Sequence, residues 1–428
     1  MRRLIYCLFF FHLFVACASS QRLADEVYMP SIKTVKFTKF GDQLSFPIIA
    51  LNSSDMLELN FDDMDGGVKS YYYTIVLCNA DWTPAQLSYF DFVKGYTQVR
   101  IANYRTSSLA LTRYTHYQIN LPDKNCMPTK SGNYILKVFL DGDTNKLAFT
   151  KRFLVVDQKI NLAATVLQPF NQQFFQTHHR LQVHLDTKNF DIRYPQQQLK
   201  VRVLQNYRWD NSLQLSSPTF IRQGTLQYSN ENEMVMPAGK EFRWLNLRSF
   251  RLLGDRVRRQ QNTDSSFTLF VKEESPRPPR QYYYYRDFNG MYINETTERI
   301  NPNWNADYAN VHFTFRPPGS VPYANADLVL MGELSNYGNE KSATLLFNPD
   351  QGVYETSMFL KQGYYDYQYV LRSKSNNGLS YSSSLTENDT WETENAYLVL
   401  VYFRELGGRY DQLIAMRQIN SQFNRTLR

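Results

Sequence analysis

Three histidines, His178, His179 and His184, stand close together in the chain, and on an extended strand His178 and His184 would share one face. No Cys or carboxylate stands beside them at ligand spacing, so the pattern predicts strand-surface and loop-edge histidines rather than a metal site. Two acidic stretches imitate calcium loops. Asp141-x-Asp143-x-Asn145 supplies the first three ligand positions, but Lys146 stands where the loop needs Gly and Arg152 where it needs a bidentate Glu. Asp62-Asp63-x-Asp65-Gly66 begins from Phe61 and closes on Tyr72, neither of them an acid, and both stretches read as hairpin turns. There is no P-loop, glycine-rich dinucleotide turn, serine nucleophile elbow or Cys-x-x-Cys pair. Nothing singles out any two of the 40 acids as a glycosidase pair. The chain is expected not to be an enzyme and to hold no metal or cofactor.

The remaining chemistry is aromatic: 31 Tyr, 29 Phe and 5 Trp make 15% of the 428 residues. In Gly363-Tyr364-Tyr365-Asp366-Tyr367-Gln368-Tyr369, period two places Tyr365, Tyr367 and Tyr369 on one face. Such a ladder could stack sugar rings or serve as a cross-strand core ladder, and the second is favoured. The run Tyr282, Tyr283, Tyr284, Tyr285 has the look of a strand covered on both sides or a segment buried in a partner. Aromatic richness with only 18 Gly and 17 Pro excludes collagen-like and low-complexity classes and leans towards β structure.

The elements that would position these residues follow an exported chain's plan. Met1-Arg2-Arg3, an apolar run from Leu4 to Ala18 and Ser19-Ser20-Gln21 read as a signal peptide over 1–20. Cleavage before Gln21 competes with a lipoprotein-type signal, Phe14-Val15-Ala16-Cys17, which would anchor the chain through Cys17. Once Cys17 leaves with the signal, Cys78 and Cys126 remain, able to form a disulfide or to stay as two buried thiols. Loss of Arg2 and Arg3 lowers the formal net charge from +7 to +5. The densest basic stretch, Arg248 to Arg259, reads as a solvated strand face, so no nucleic-acid partner is expected. No later segment is long and apolar enough to span a membrane.

From Val35 onwards, alternation with turn punctuation predicts an all-β chain of three β-sandwich domains in series, immunoglobulin-like or early-set-like. The expected boundaries are 21–157, 158–277 and 278–428, with Pro276-Arg277-Pro278-Pro279 as the strongest linker signal. Asp65-Gly66-Gly67 predicts a hairpin from Leu57–Phe61 into Tyr72–Leu77, and Asp141-Gly142-Asp143 another between Tyr134–Leu140 and Leu147–Val156. The strands of the second hairpin are apolar on both faces. The segment Tyr410 to Ile419 reads as the returning arm of a last hairpin, with a short helix as the alternative.

Read in order, several motifs resemble one family, the type IX secretion system plug proteins of Bacteroidetes, long known only as a domain of unknown function. Its carriers are Cys78-Asn79-Ala80-Asp81-Trp82-Thr83-Pro84, Tyr114-Thr115-His116-Tyr117 and Ser131-Gly132-Asn133-Tyr134 in the first domain. Leu204-Gln205-Asn206-Tyr207-Arg208-Trp209-Asp210 and Glu241-Phe242-Arg243 follow in the second. The third holds Asp287-Phe288-Asn289-Gly290, Leu360-Lys361-Gln362-Gly363-Tyr364-Tyr365 and Arg409-Tyr410-Asp411. The match runs over essentially the whole mature chain and departs at Leu77, where the family usually has His. The resemblance implies a non-enzymatic periplasmic plug that docks on the periplasmic mouth of the outer-membrane translocon β-barrel and seals it when nothing is passing. A second reading starts from Val329-Leu330-Met331-Gly332-Glu333-Leu334 and the tyrosine ladder, which resemble early-set sandwiches that bind glucans, and implies a carbohydrate-binding protein.

Overall fold

Alternating apolar residues build the first unit. In a computed structural model that describes residues 25–423 apart from 216, 280, 376 and 377, Leu57, Leu59 and Phe61 of strand Leu57–Asp63 are fully buried. The expected signal peptide and Cys17 lie outside the described residues. Leu57–Asp63 is central in a four-stranded sheet, in the order Ile32–Lys39, Leu57–Asp63, Thr115–Leu121, Asn103–Thr106. A six-stranded sheet faces it, built around Tyr71–Cys78, Gly132–Leu140 and Leu147–Val156. The Asp141-Gly142 hairpin forms, with both residues left-handed at φ 57 and 72, as a tight turn between twisted strands requires. The Asp65-Gly66 hairpin does not. Leu57–Asp63 pairs with Thr115–Leu121, while Tyr71–Cys78 pairs with Gly132–Leu140, so the chain uses that turn to cross from one sheet to the other. Phe61 and Tyr71 then meet edge to face across the core at 5.3 Å.

The second core joins Asn161–Leu167, His178–Asp186 and Thr225–Tyr228 to a four-stranded sheet in the order Leu213–Leu215, Leu199–Gln205, Ala396–Phe403, Gln412–Asn420. The last two strands form the expected terminal hairpin. The third core is enclosed by a ten-stranded sheet that begins at Arg243–Asn246, pairs it with Gly363–Ser375 and ends at the edge strand Val257–Asn262. Among the described residues the three helical segments of α type have four residues each.

These cores do not follow the expected boundaries 158–277 and 278–428. Strands Arg243–Asn246 and Phe267–Val271 belong to the third core, and the C-terminal hairpin returns to complete the second. Nor is Pro276–Pro279 a linker, since Glu274 bridges to Phe315 and the Arg277 amide donates to the Thr386 carbonyl at 2.9 Å. Periodicity reveals that a segment is a strand; it carries no information on which strand lies beside it.

A fourth apolar cluster explains the strands that are apolar on both faces. In Ala396–Phe403, the side chains of Tyr397, Val399, Val401 and Phe403 enter the second core, while Ala396, Leu398, Leu400 and Tyr402 pack on the outer face of the first unit's larger sheet. From that sheet, Tyr134, Leu136, Phe153 and Val155 face inwards and Ile135, Leu154 and Val156 face the contact. Residues 158–277 alone lack Ala396–Phe403, the longer of the two strands that pair with Leu199–Gln205. Expressed as a fragment, they should show no cooperative thermal transition by circular dichroism and poorly dispersed amide signals by NMR. A sharp transition would establish that they fold independently of the C-terminal hairpin.

Candidate functional site

The residues singled out by sequence go to separate places. Tyr365, Tyr367 and Tyr369 do share a face, but that face lies inside the third core. They pack on Tyr292, Phe313 and Phe315 with ring centroids 5.1, 5.4 and 4.5 Å apart, and the Tyr367 hydroxyl donates to Glu274 at 2.7 Å. Rings so enclosed cannot stack a sugar, which removes one of the two features behind the carbohydrate reading. The run Tyr282–Tyr285 is not a strand. Tyr282 and Tyr285 turn inwards, donating to the Glu241 carboxylate at 2.6 Å and the Phe242 carbonyl at 2.8 Å, while Tyr283 is 74% and Tyr284 53% exposed.

Cys78 and Cys126 are free thiols, each pushed up to about 12 by burial. They belong to different clusters, Cys78 between the first two units and Cys126 in the first core. His178 and His184 lie towards the surface, whereas His179 is buried with its ring nitrogens 2.8 Å from the Tyr397 hydroxyl and the Trp391 carbonyl. Among the described residues no group of His, Cys, Asp and Glu is arranged to hold a metal ion.

What the fold does bring together is the motif residues, at the junctions between units. A cavity of about 310 Å³ opens where all three units meet, lined among others by Trp82 and Arg152 of the first, Tyr207 and Trp209 of the second, and Tyr337 and Tyr381 of the third. Trp82 and Trp209 meet edge to face at 4.8 Å, and the Arg152 guanidinium lies 4.5 Å from the first ring and 5.7 Å from the second. This is a cation–π clasp between two units. Its backbone is strained: Trp82 has φ 69, and Asn206 and Tyr207 have φ 51 and 60, left-handed values that non-glycine residues seldom adopt. Asn206 is pinned, because its side chain donates to Asn395 at 2.8 Å and accepts from the Ala396 amide at 3.0 Å.

Asp411 closes the same junction from the far side. Its carboxylate accepts from the Ala80 amide at 2.9 Å, Lys200 at 2.9 Å and Arg404 at 2.7 Å, and Arg404 also donates to Asn79 at 2.7 Å. The Tyr402 hydroxyl donates to Asn133 at 2.7 Å.

Between the first and third units the link is ionic. Lys361 and Asp62, each 1% exposed, pair at 2.5 Å. Asp62 also accepts from the Tyr308 hydroxyl at 2.6 Å and lies 2.7 Å from His116 Nδ1. Nearby, buried Lys36 pairs with Glu333 and donates to the Tyr292 carbonyl at 2.7 Å. Burial drives the Asp62 pKa upwards, but Lys361 and His116 more than offset this and hold the carboxyl below its usual range. In the sequence Asp62 looks like a turn residue; only its position at the end of the alternating strand Leu57–Asp63 hints that it faces another unit.

No curated protein matches this sequence. Residues 32–157 match the family model described as Type 9 secretion system plug protein 1st domain. The crystal structure of a hypothetical protein from Parabacteroides merdae ATCC 43184 is similar at a TM-score of 0.89 and 30% sequence identity, over 94% of this chain and 100% of that chain.

Removing one member of the Asp62–Lys361 pair strands the other as a buried charge. Asp62→Leu and Lys361→Met should each destabilise the protein by about 3–5 kcal/mol, and the double variant by less than the two together. Urea unfolding measures this. Because the Asp62 pKa is depressed on folding, its contribution is fully present above the unfolded carboxyl value near pH ~4 and fades as pH falls through the lower folded value. The stability of wild type relative to the double variant should therefore fall towards acid pH.

Proposed function

The chain belongs to the same family as the Parabacteroides merdae protein and carries a type 9 secretion plug first domain, and from that premise we propose that it is a non-enzymatic plug of the type IX secretion translocon. In this reading it works in the periplasm, docks on the periplasmic mouth of the outer-membrane barrel and closes it between transport events. The observation that carries the reading is the welding of three cores through buried apolar and ionic junctions. A plug has to cover a wide opening without deforming, and a body whose interfaces are packed like protein interiors resists bending. It needs no reactive group. No helix of the described residues is long and apolar enough to cross a membrane, which suits a protein that reaches the barrel from the periplasm.

Tyr283 and Tyr284 are proposed as contact residues. Tyrosine offers a large, stiff face at low entropy cost, and its polar tip tolerates water when the partner is absent. The neighbouring rings of Tyr282 and Tyr285 anchor the segment, so the exposed pair is presented from a fixed base.

Deleting the gene in a strain that relies on this translocon should make the outer membrane permeable to a large antibiotic while the barrel remains assembled. Unchanged permeability would count against sealing. The protein should co-purify with the barrel, and Tyr283→Ala with Tyr284→Ala should weaken that association roughly tenfold or more without lowering the unfolding temperature.

A further inference from the structure

The basic stretch Arg248–Arg259, a solvated strand face on sequence grounds, divides into a projecting loop and an edge strand. The loop exposes Leu252 by 78% and Leu253 by 42%. Phe250 anchors it in the third core, 5.1 Å from the ring of Phe267. The Ser249 hydroxyl accepts from the amides of Arg251 and Leu252, both at 3.1 Å, and donates to Glu298 at 2.8 Å. Gly254 brings the chain back so closely that a Cβ there would lie 2.6 Å from the Asn246 carbonyl oxygen. The leucine pair is thus held outwards by a tied loop. Val257–Asn262 follows at once as the edge of the ten-stranded sheet.

Five arginines lie in this stretch, with Asp255 as its single acid. Arg248 and Arg256 are engaged by Glu295 and Glu274. Arg251, Arg258 and Arg259 are exposed and among the described residues form no ion pair, although the Arg259 guanidinium lies 3.9 Å from the centre of the Phe270 ring and the charges of Arg251 and Arg258 reach Glu298 and Glu273. Charges on an edge strand alone would be an ordinary guard against strand addition. The leucines work against such a guard, because they expose apolar area beside it. An acidic polypeptide would satisfy the arginines yet has no need of two leucines held out into solvent. A bilayer satisfies both: apolar tips enter the boundary between headgroups and acyl chains, and guanidinium groups meet phosphates.

We propose that Leu252 and Leu253, with Arg251, Arg258 and Arg259, form a contact site for an anionic phospholipid bilayer surface. The inference rests on this patch alone and does not need the plug reading.

Flotation of the full chain with vesicles of phosphatidylglycerol and phosphatidylcholine in equal parts tests it, against vesicles of phosphatidylcholine only. Wild type should float with the anionic vesicles and not with the neutral ones. The triple variant R251Q/R258Q/R259Q should lose on the order of a hundredfold in partitioning, since each basic residue at an anionic surface contributes severalfold. L252S/L253S should lose roughly tenfold or more. Near-UV circular dichroism of both variants checks that the fold is kept, which is expected at exposed positions. Absence of flotation, or flotation indifferent to the leucines, overturns the proposal. So does tight binding to polyaspartate for which the leucines are dispensable, an outcome that assigns the patch to an acidic chain. The vesicles contain no barrel, so failure here leaves the plug reading standing, and a failed permeability test leaves this site standing.

Discussion

Strand Ala396–Phe403 has no face left for water, and the architecture follows from that. Odd-numbered side chains from Tyr397 to Phe403 fill the second core, and even-numbered ones press on the first unit's larger sheet. The strand is laid down almost at the end of the chain, yet it pairs with Leu199–Gln205, nearly two hundred residues earlier. The second core therefore cannot close until the intervening third unit has been made. Much of the stability of all three units is gained together, through contacts distant in sequence, a topology that folds slowly because loop closure precedes its reward.

The junctions combine this apolar contact with polar groups that are costly to bury. A buried ion pair such as Asp62–Lys361 is a poor source of net stability, because desolvation consumes most of the attraction. It does impose a strict geometric demand. Lys361 finds its charge partner only if the first and third units meet in one register, and Asp62 is further committed to Tyr308 and His116. Asp411 makes a similar demand where the C-terminal hairpin meets the first unit, by collecting Ala80, Lys200 and Arg404 on one carboxylate. Apolar packing supplies the adhesion, and these groups fix the relative placement.

Strand identity was legible from period-two alternation, and so were the Asp141-Gly142 turn and the last hairpin. Pairing beyond those hairpins was not: Leu57–Asp63 and Tyr71–Cys78 look like hairpin arms, although the first lies between Ile32–Lys39 and Thr115–Leu121 and the second pairs with Gly132–Leu140. The shared face of Tyr365, Tyr367 and Tyr369 could be read from the sequence, but whether it met solvent depended on the curl of a ten-stranded sheet. Within Tyr282–Tyr285 the division is between outer and inner members rather than alternate ones, because the segment is not extended strand. Several residues of the motifs that carry the family resemblance proved to be junction residues, Trp82, Trp209, Lys361 and Asp411 among them. No periodicity marks such residues, since what they contact lies in another unit.

That placement gives the aromatic surplus its physical meaning. Three cores whose sheets pack on one another through their outer faces have more interior than three separate sandwiches of the same length, and tyrosine fills such interior well, as its ring packs while its hydroxyl reaches a buried carboxylate or carbonyl. Tyr367 on Glu274 does so within the third unit, while Tyr308 on Asp62 and Tyr402 on Asn133 tie one unit to another. A chain that flexed between its units would have little use for such bonds, because every bending motion would break one and expose its partner. Rings that join units in this way stiffen the whole body, and the proposed role of covering a wide opening without deforming would draw on that stiffness.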